Sequence, residues 1–194
     1  VRLRPDPHNA ALLARVVLGQ RGRGSHRDAE LFGAIRRRHT HRHPFAPRSV
    51  PGQVLGELTE CVHSEHATIV PIGRAQRRWL FDLAAFSEVM LLESPGYQAD
   101  VAKWTAGSTS RVDGIPVSAF GSLSTTGTPP MRDFGASHQV AQPHERYSPD
   151  PWVAILATAA DDTIAWLHAG QALERLLLTA CVRGLAVSFL NQPL

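Results

Sequence analysis

The 194-residue chain is 43% hydrophobic and 19% charged, which excludes a disordered or collagen-like polymer and provides for a packed core. Its 20 Lys and Arg against 17 Asp and Glu give a formal charge of +3, and because Lys103 is the sole lysine the basic character belongs to arginine, as a coding bias or a preference for anionic ligands would produce. The arginines outside Arg36–Arg42 are scattered, which argues against a dense nucleic-acid-binding face.

The length allows one full domain, or one with a fragment of another. Cys61 and Cys181 each fall in an apolar helical pattern, with no CxxC and no framework of pairs, so a reduced, cytoplasmic compartment is expected. No run of about 18 apolar residues marks a membrane span, and no charged-then-apolar leader is seen. The sequence starts at Val1 and stops just after a strand-like run, and is read as a piece of something longer.

In chain order, Leu12, Leu13, Val16 and Val17 predict a short helix over Asn9–Leu18, followed by a flexible break from Gly19 to Gly24. A second helix follows, capped by Asp28, with Leu31, Phe32 and Ile35 on one face and Arg36, Arg37 and Arg38 in its last turn. Pro44 and Pro47 keep Thr40–Pro47 out of helix. Ser49 precedes a third helix whose stripe is Val54, Leu55, Leu58, Cys61 and Val62.

Ala67–Ile72 reads as a strand. Arg74–Glu93 reads as an amphipathic helix, with Trp79, Leu80, Leu83, Phe86, Met90 and Leu91 opposite Arg77, Arg78, Asp82 and Glu88. Tyr97–Trp104 is a shorter helix. From Ala106 to Pro151 neither period holds, and a segment this long is either a cover over a site or a linker. The cover is favoured, because the stretch from Trp152 to Leu194 is too short to fold alone. Trp152–Thr158 is a buried strand, and Asp161 or Asp162 caps a long helix running to about Arg183. Gly184 is its C′ residue, and Leu185–Leu190 reads as a closing strand. The elements together indicate an α+β fold.

The densest polar stretch is Arg36-Arg37-Arg38-His39-Thr40-His41-Arg42-His43. Arginines near a helix C-terminus are stabilised by its negative end for structural reasons alone. A functional reading makes Arg38 a two-pronged donor for phosphate, Thr40 a hydroxyl donor, and Arg42 a cation for developing negative charge. His39, His41 and His43 alternate, but with Pro44 next and no carboxylate in the neighbouring sequence they argue against a metal site. His63 and His66 end a helix and read as solvated. No GxSxG, GxGxxG or P-loop is present.

Arg37-Arg38-His39-Thr40-His41-Arg42 followed by Phe45, with Trp104, Asp113-Gly114-Ile115-Pro116 and the run from Ala169 through Ala180 to Gly184-Leu185-Ala186-Val187-Ser188, resembles the nitroreductase-like FMN flavoproteins. The likeness runs from about Leu31 to Leu194 and is greatest to the Acg-type subfamily, in which one polypeptide carries two nitroreductase-like halves.

The resemblance implies a central sheet packed by helices, with residues 1–27 a connecting helix and loop and residues 28–194 one nitroreductase-like half, incomplete at both ends. It implies FMN as cofactor and NAD(P)H as electron donor to a nitro-aromatic or quinone acceptor, with no side chain acting as acid or base. It places Arg38 on the flavin phosphate, His39 beside it through its backbone, Thr40 where serine is usual, and Arg42 near the pyrimidine edge of the ring. Asn191 and Gln192 fall where the family has donors near the ring's N5 and O4, although the usual Glu-Gly is absent. The arrangement expected is a pseudo-dimer within a longer chain or a homodimer, with neither a nucleic-acid nor a membrane partner. The alternatives are a flavin-sequestering protein with a closed cover and, more remotely, a phospholigand or nucleic-acid binding module.

Overall fold

Ser25, rather than Asp28, starts the first long helix. Its hydroxyl accepts the Asp28 main-chain N–H at 3.1 Å, and the Asp28 carboxylate accepts that of Ser25 at 2.9 Å. This reciprocal box satisfies two N–H groups that have no partner within the helix. The Ser25 hydroxyl also holds the Asp28 carboxyl below the usual carboxylate range.

The computed structural model describes residues 1–19, 22–105, 113–126, 129–147 and 151–194. They form two compact units. The first comprises Val1–His39, Ser49–Pro71 and Ala154–Val187, and the second Thr40–Arg48, Ile72–Val153 and Ser188–Leu194.

In the first unit, β1 (Arg2–Leu3) pairs antiparallel with β2 (Ala14–Arg15), where the sequence predicts a helix over Asn9–Leu18. Side-chain turns decide the difference. Asp6 Oδ1 accepts the N–H of His8 at 2.9 Å, and Asn9 Oδ1 that of Ala11 at 3.1 Å, which bends the chain into successive turns, and the Leu13 carbonyl accepts the Arg4 N–H at 2.8 Å rather than a donor within a helix. The capped helix α1 spans His26–Ala34 and α2 spans Gly52–His63. Pro51 stands at the N-cap of α2, two residues after Ser49, its fixed φ already suited to helix entry.

The strand β3 (Thr68–Pro71) pairs antiparallel with the distant strand Ala154–Ala157, in the register Thr68 with Ala157 and Pro71 with Ala154. The helix Thr163–Val182 follows, with Asp162 Oδ1 accepting the N–H of Ala165 at 2.9 Å. The core of this unit joins Cys61, Val62, Ala67, Ile69 and Ala172, with Leu156 and Leu176 against it. Burying Val62 completely is worth about 1.5–3 kcal/mol relative to leaving it exposed. Ala165, Ala172 and Ala180, rather than exposed Gly170, are the buried alanines of the long helix.

In the second unit, α3 (Arg74–Leu92) is followed by α4 (Pro95–Thr105). The inner line of α3 is Arg77, Leu80, Phe81, Leu83, Ala84, Ser87, Glu88 and Leu91, so Leu80, Leu83 and Leu91 of the stripe read from the sequence face inward, whereas Trp79, Phe86 and Met90 are exposed. Arg77 and Glu88 turn inward because distant partners satisfy them. Arg77 donates to the Pro151 carbonyl, and Glu88 pairs with Arg132 at 3.3 Å.

Within the irregular segment, β4 (Leu123–Ser124) runs parallel to β5 (His144–Glu145), and single 3-10 turns cover Val117–Ala119 and Ala136–His138. Part of this expected cover lies outside the described residues, at 106–112, 127–128 and 148–150. In chain order, Ala154–Ala157 is therefore β6 and Thr163–Val182 is α5. Gly184 ends α5 with φ +70°, as the sequence predicts, and Leu185 N–H returns to the Ala180 carbonyl at 2.9 Å. Leu185–Leu190 forms no strand. An extended run needs a neighbour for its ladder, and among the described residues none pairs with it.

The mixed helices and strand pairs make this an α+β chain, as expected. Its sheets, among the described residues, are three separate two-stranded pairs.

Candidate functional site

The arginine stretch lies just past α1 rather than in its last turn. The helix closes at Ala34, whose carbonyl accepts the N–H of Arg37 at 2.9 Å and that of Arg38 at 2.8 Å. This turn sets Arg37, Arg38 and His39 along one side of a cleft of about 200 Å³. Leu177 and Cys181 of α5 and the segment from Gly184 to Val187 line the rest. Left-handed Gly184 is what lets the chain fold back there.

Arg38 is partly buried and its Nε lies 3.9 Å from Glu174 Oε1, an exposed pair worth at most about 1 kcal/mol. The guanidinium fork is thus held loosely by a carboxylate that a phosphate could replace. His39 is exposed, with Nδ1 3.1 Å from the Arg37 carbonyl oxygen, so its ring points back to the turn.

Thr40 begins the second unit. It is half-buried, and among the described residues no hydrogen bond engages its hydroxyl. Arg42 is fixed far more firmly. Its main-chain carbonyl accepts the Ser122 N–H at 3.0 Å and the Tyr147 hydroxyl at 2.9 Å. Its Nη1 donates to the Ala119 carbonyl at 3.1 Å, and the guanidinium sits 5.2 Å from the centre of the Phe134 ring. Burial lowers its pKa below the ordinary arginine value, and the group stays charged at neutral pH. Among the described residues no carboxylate pairs with it. A half-buried cation without a counter-ion is electrostatically costly and is stabilised by an anion brought to it.

Gly121 makes this packing possible. It has φ +79°, and a Cβ there would stand 2.1 Å from the Arg42 carbonyl oxygen. Gln142 braces the same region, donating to the Phe120 carbonyl at 3.1 Å and accepting the Gly135 N–H at 2.9 Å.

Asn191 is exposed, and its carbonyl accepts the Leu194 N–H at 3.3 Å. Gln192 is buried and its Oε1 has no hydrogen-bond partner. No hydrogen bond among the described residues joins either side chain to Thr40 or Arg42. The alternating histidines do not form a metal site. His43 Nδ1 lies 3.3 Å from Glu145 Oε2, while His41 turns to the Pro44 carbonyl, and among the described residues no group of three or more His, Cys, Asp or Glu could hold a metal ion. His63 and His66 are exposed, as expected for a solvated helix end, and the His66 ring centre lies 4.7 Å from that of His168.

Sequence reasoning missed Glu174 as the partner of Arg38, Cys181 as a wall of the cleft, and the Gly121, Ser122 and Tyr147 support of Arg42. Gly121 stands in a glycine-rich stretch, and Glu174 lies inside the run compared with the flavoproteins, but neither shows its contact from spacing alone.

This is therefore an α+β chain in which Arg38 is loosely paired and Arg42, among the described residues, has no carboxylate partner. No protein-family model matches it. It is similar, at 28% identity over 192 residues, to two curated proteins from two strains of Mycobacterium tuberculosis, each named "Putative NAD(P)H nitroreductase". The alignment takes in 98% of this chain and 54% of each relative, so the chain spans about half the length of the curated relatives it matches. No helix among the described residues is long and apolar enough to cross a membrane.

Proposed function

We propose that this chain is part of an FMN-dependent oxidoreductase of the nitroreductase-like, Acg-type class, passing electrons from NAD(P)H to a nitro-aromatic or quinone acceptor. Residues 28–194 are one nitroreductase-like half in this reading, with residues 1–27 leading into it, and the other half comes from a longer chain or a second copy. The observation that carries the proposal is Arg42, a fixed, half-buried guanidinium with no carboxylate partner among the described residues. The likeness to the two mycobacterial nitroreductases supports it.

The donor set fits the group. Arg38 and the backbone at His39 hold a phosphate, with Glu174 giving way, and Thr40 offers a hydroxyl that no hydrogen bond among the described residues engages. Arg42 faces an anionic ring edge with a charge already desolvated and oriented, the condition under which a cation stabilises developing negative charge most. The unpaired Gln192 Oε1 is an acceptor, so the donor role near N5 and O4 falls to the main-chain N–H groups of Asn191 and Gln192. FMN, when bound, accepts hydride and delivers the electrons. The side chains bind, orient and charge the environment, and none acts as acid or base.

A flavin-sequestering protein is the second reading. It is favoured by the hydrogen bonds that tie Ser122 and Tyr147, both in the irregular segment, to the Arg42 backbone, as a cover requires. Oxidation of NAD(P)H by the full-length protein with a nitro-aromatic acceptor separates the two. Turnover that falls in Arg42→Gln supports the reductase, and bound flavin that nicotinamide cannot bleach supports sequestration.

A further inference from the structure

The first unit holds another cleft, of about 300 Å³, lined by α1, α2 and the end of α5. Thr179 lies in its wall and is 4% exposed, yet its Oγ1 makes no hydrogen bond of normal geometry although the Cys61 thiol is beside it. A buried hydroxyl left in this state gains from any partner that enters the cleft.

The charges around the opening are unequal. Glu57 pairs with Arg183 at 2.6 Å, and Glu30 faces His26 at 3.8 Å. Arg27 also lines the cleft, and no ion pair among the described residues engages it. One guanidinium fork therefore remains for a ligand. Leu31 and Val182 supply the apolar part of the lining.

We propose that this cleft is a second ligand site, separate from the Arg38 cleft, for a small organic monocarboxylate with a compact apolar body. The carboxylate takes two N–H donors from Arg27 and the Thr179 hydroxyl donates to the same group, while the body rests on Leu31 and Val182. A phosphate dianion suits it less, because Glu30 and Glu57 also line the cleft and repel the second charge.

Benzoate titrated into the full 194-residue chain and followed by backbone amide NMR tests the site. The expected result is saturable shifts confined to residues 26–31, 57 and 179–183, weakened about tenfold or more in Arg27→Gln and several-fold in Thr179→Val. Affinity is retained in Thr179→Ser, which keeps the hydroxyl, and in Arg38→Gln, which leaves this cleft untouched. Neutral benzamide should give no saturable shift. Absence of saturable benzoate shifts, equal binding of benzamide, or an Arg27→Gln variant that binds as tightly as the parent overturns the proposal.

Discussion

The Tyr147 hydroxyl lies 2.9 Å from the Arg42 carbonyl oxygen and 2.9 Å from that of Ser122. A single buried phenol thus joins the strand-like Arg42 segment to the irregular segment that follows α4. The phenol has one proton and donates to one of these carbonyls at a time, and in Tyr147→Phe the Ser122 N–H still serves that of Arg42; losing the buried hydroxyl should destabilise the protein by about 1–2 kcal/mol, read as a lower urea midpoint with unchanged slope. An unchanged midpoint would mean that the contact contributes nothing.

Burial raises the Tyr147 pKa, which gives the same residue a pH signature. A phenol whose folded pKa lies above its unfolded value of about 10 loses its proton first in the unfolded chain. Its contribution is therefore complete below about pH 10 and is lost as pH rises from there toward the folded pKa. Thermal melts of the parent should fall more steeply above pH 10 than those of Tyr147→Phe. Tyr97, also raised by burial, and the Cys61 thiol contribute to the decline that both proteins share.

Gly121→Ala places a methyl where the Arg42 carbonyl oxygen already stands, at a φ that side chains rarely adopt. Strain of this kind costs about 1–3 kcal/mol before the clash is counted, so calorimetry should show a marked loss of Tm. Gly184→Ala meets open space and only the φ cost, and should lose less.

The two thiols should separate by reactivity. Cys61 is buried, 2% exposed, and burial pushes its pKa up, whereas Cys181 is partly exposed and lines the Arg38 cleft. Because the thiolate is the reactive form, a disulfide reagent should modify Cys181 first in the native protein, and inorganic phosphate or FMN should slow that step. Equal rates for both thiols, or no protection, would place the ligand elsewhere.

Glu174 competes with any anion for Arg38. The pair is exposed enough that its removal frees at most about 1 kcal/mol, so Glu174→Gln should tighten FMN binding by up to about fivefold and Arg38→Gln should weaken it. Fluorescence titration of the flavin gives both constants, and tightening by Arg38→Gln would reverse the assigned roles.

The helices were legible where a 3.6-residue stripe followed a local start signal, as in α2, where Leu58, Cys61 and Val62 follow Pro51, and in α5 behind the Asp162 cap. They were misread where the deciding contact is remote. The inward turn of Arg77 and Glu88 depends on Pro151 and Arg132, and no local pattern carries that information. The Leu185–Leu190 run has strand composition without a neighbouring strand, and the stretch around Asn9 is governed by two side-chain turns that outweigh its leucines. In the candidate site, the residue types of Arg38, Thr40 and Arg42 could be read directly. The Arg42 anchor could not, because Ala119 and Tyr147 lie 77 and 105 residues further along.

The flavin proposal stands or falls on Arg38 and Arg42 holding the nucleotide. Equilibrium titration of FMN into the full-length protein, with riboflavin as the phosphate-free control, tests this directly. Saturable FMN binding is expected, with weaker riboflavin binding, loss of that difference in Arg38→Gln, and weakening of both ligands in Arg42→Gln. Binding indifferent to both arginines, or equal for FMN and riboflavin in the parent, would contradict it.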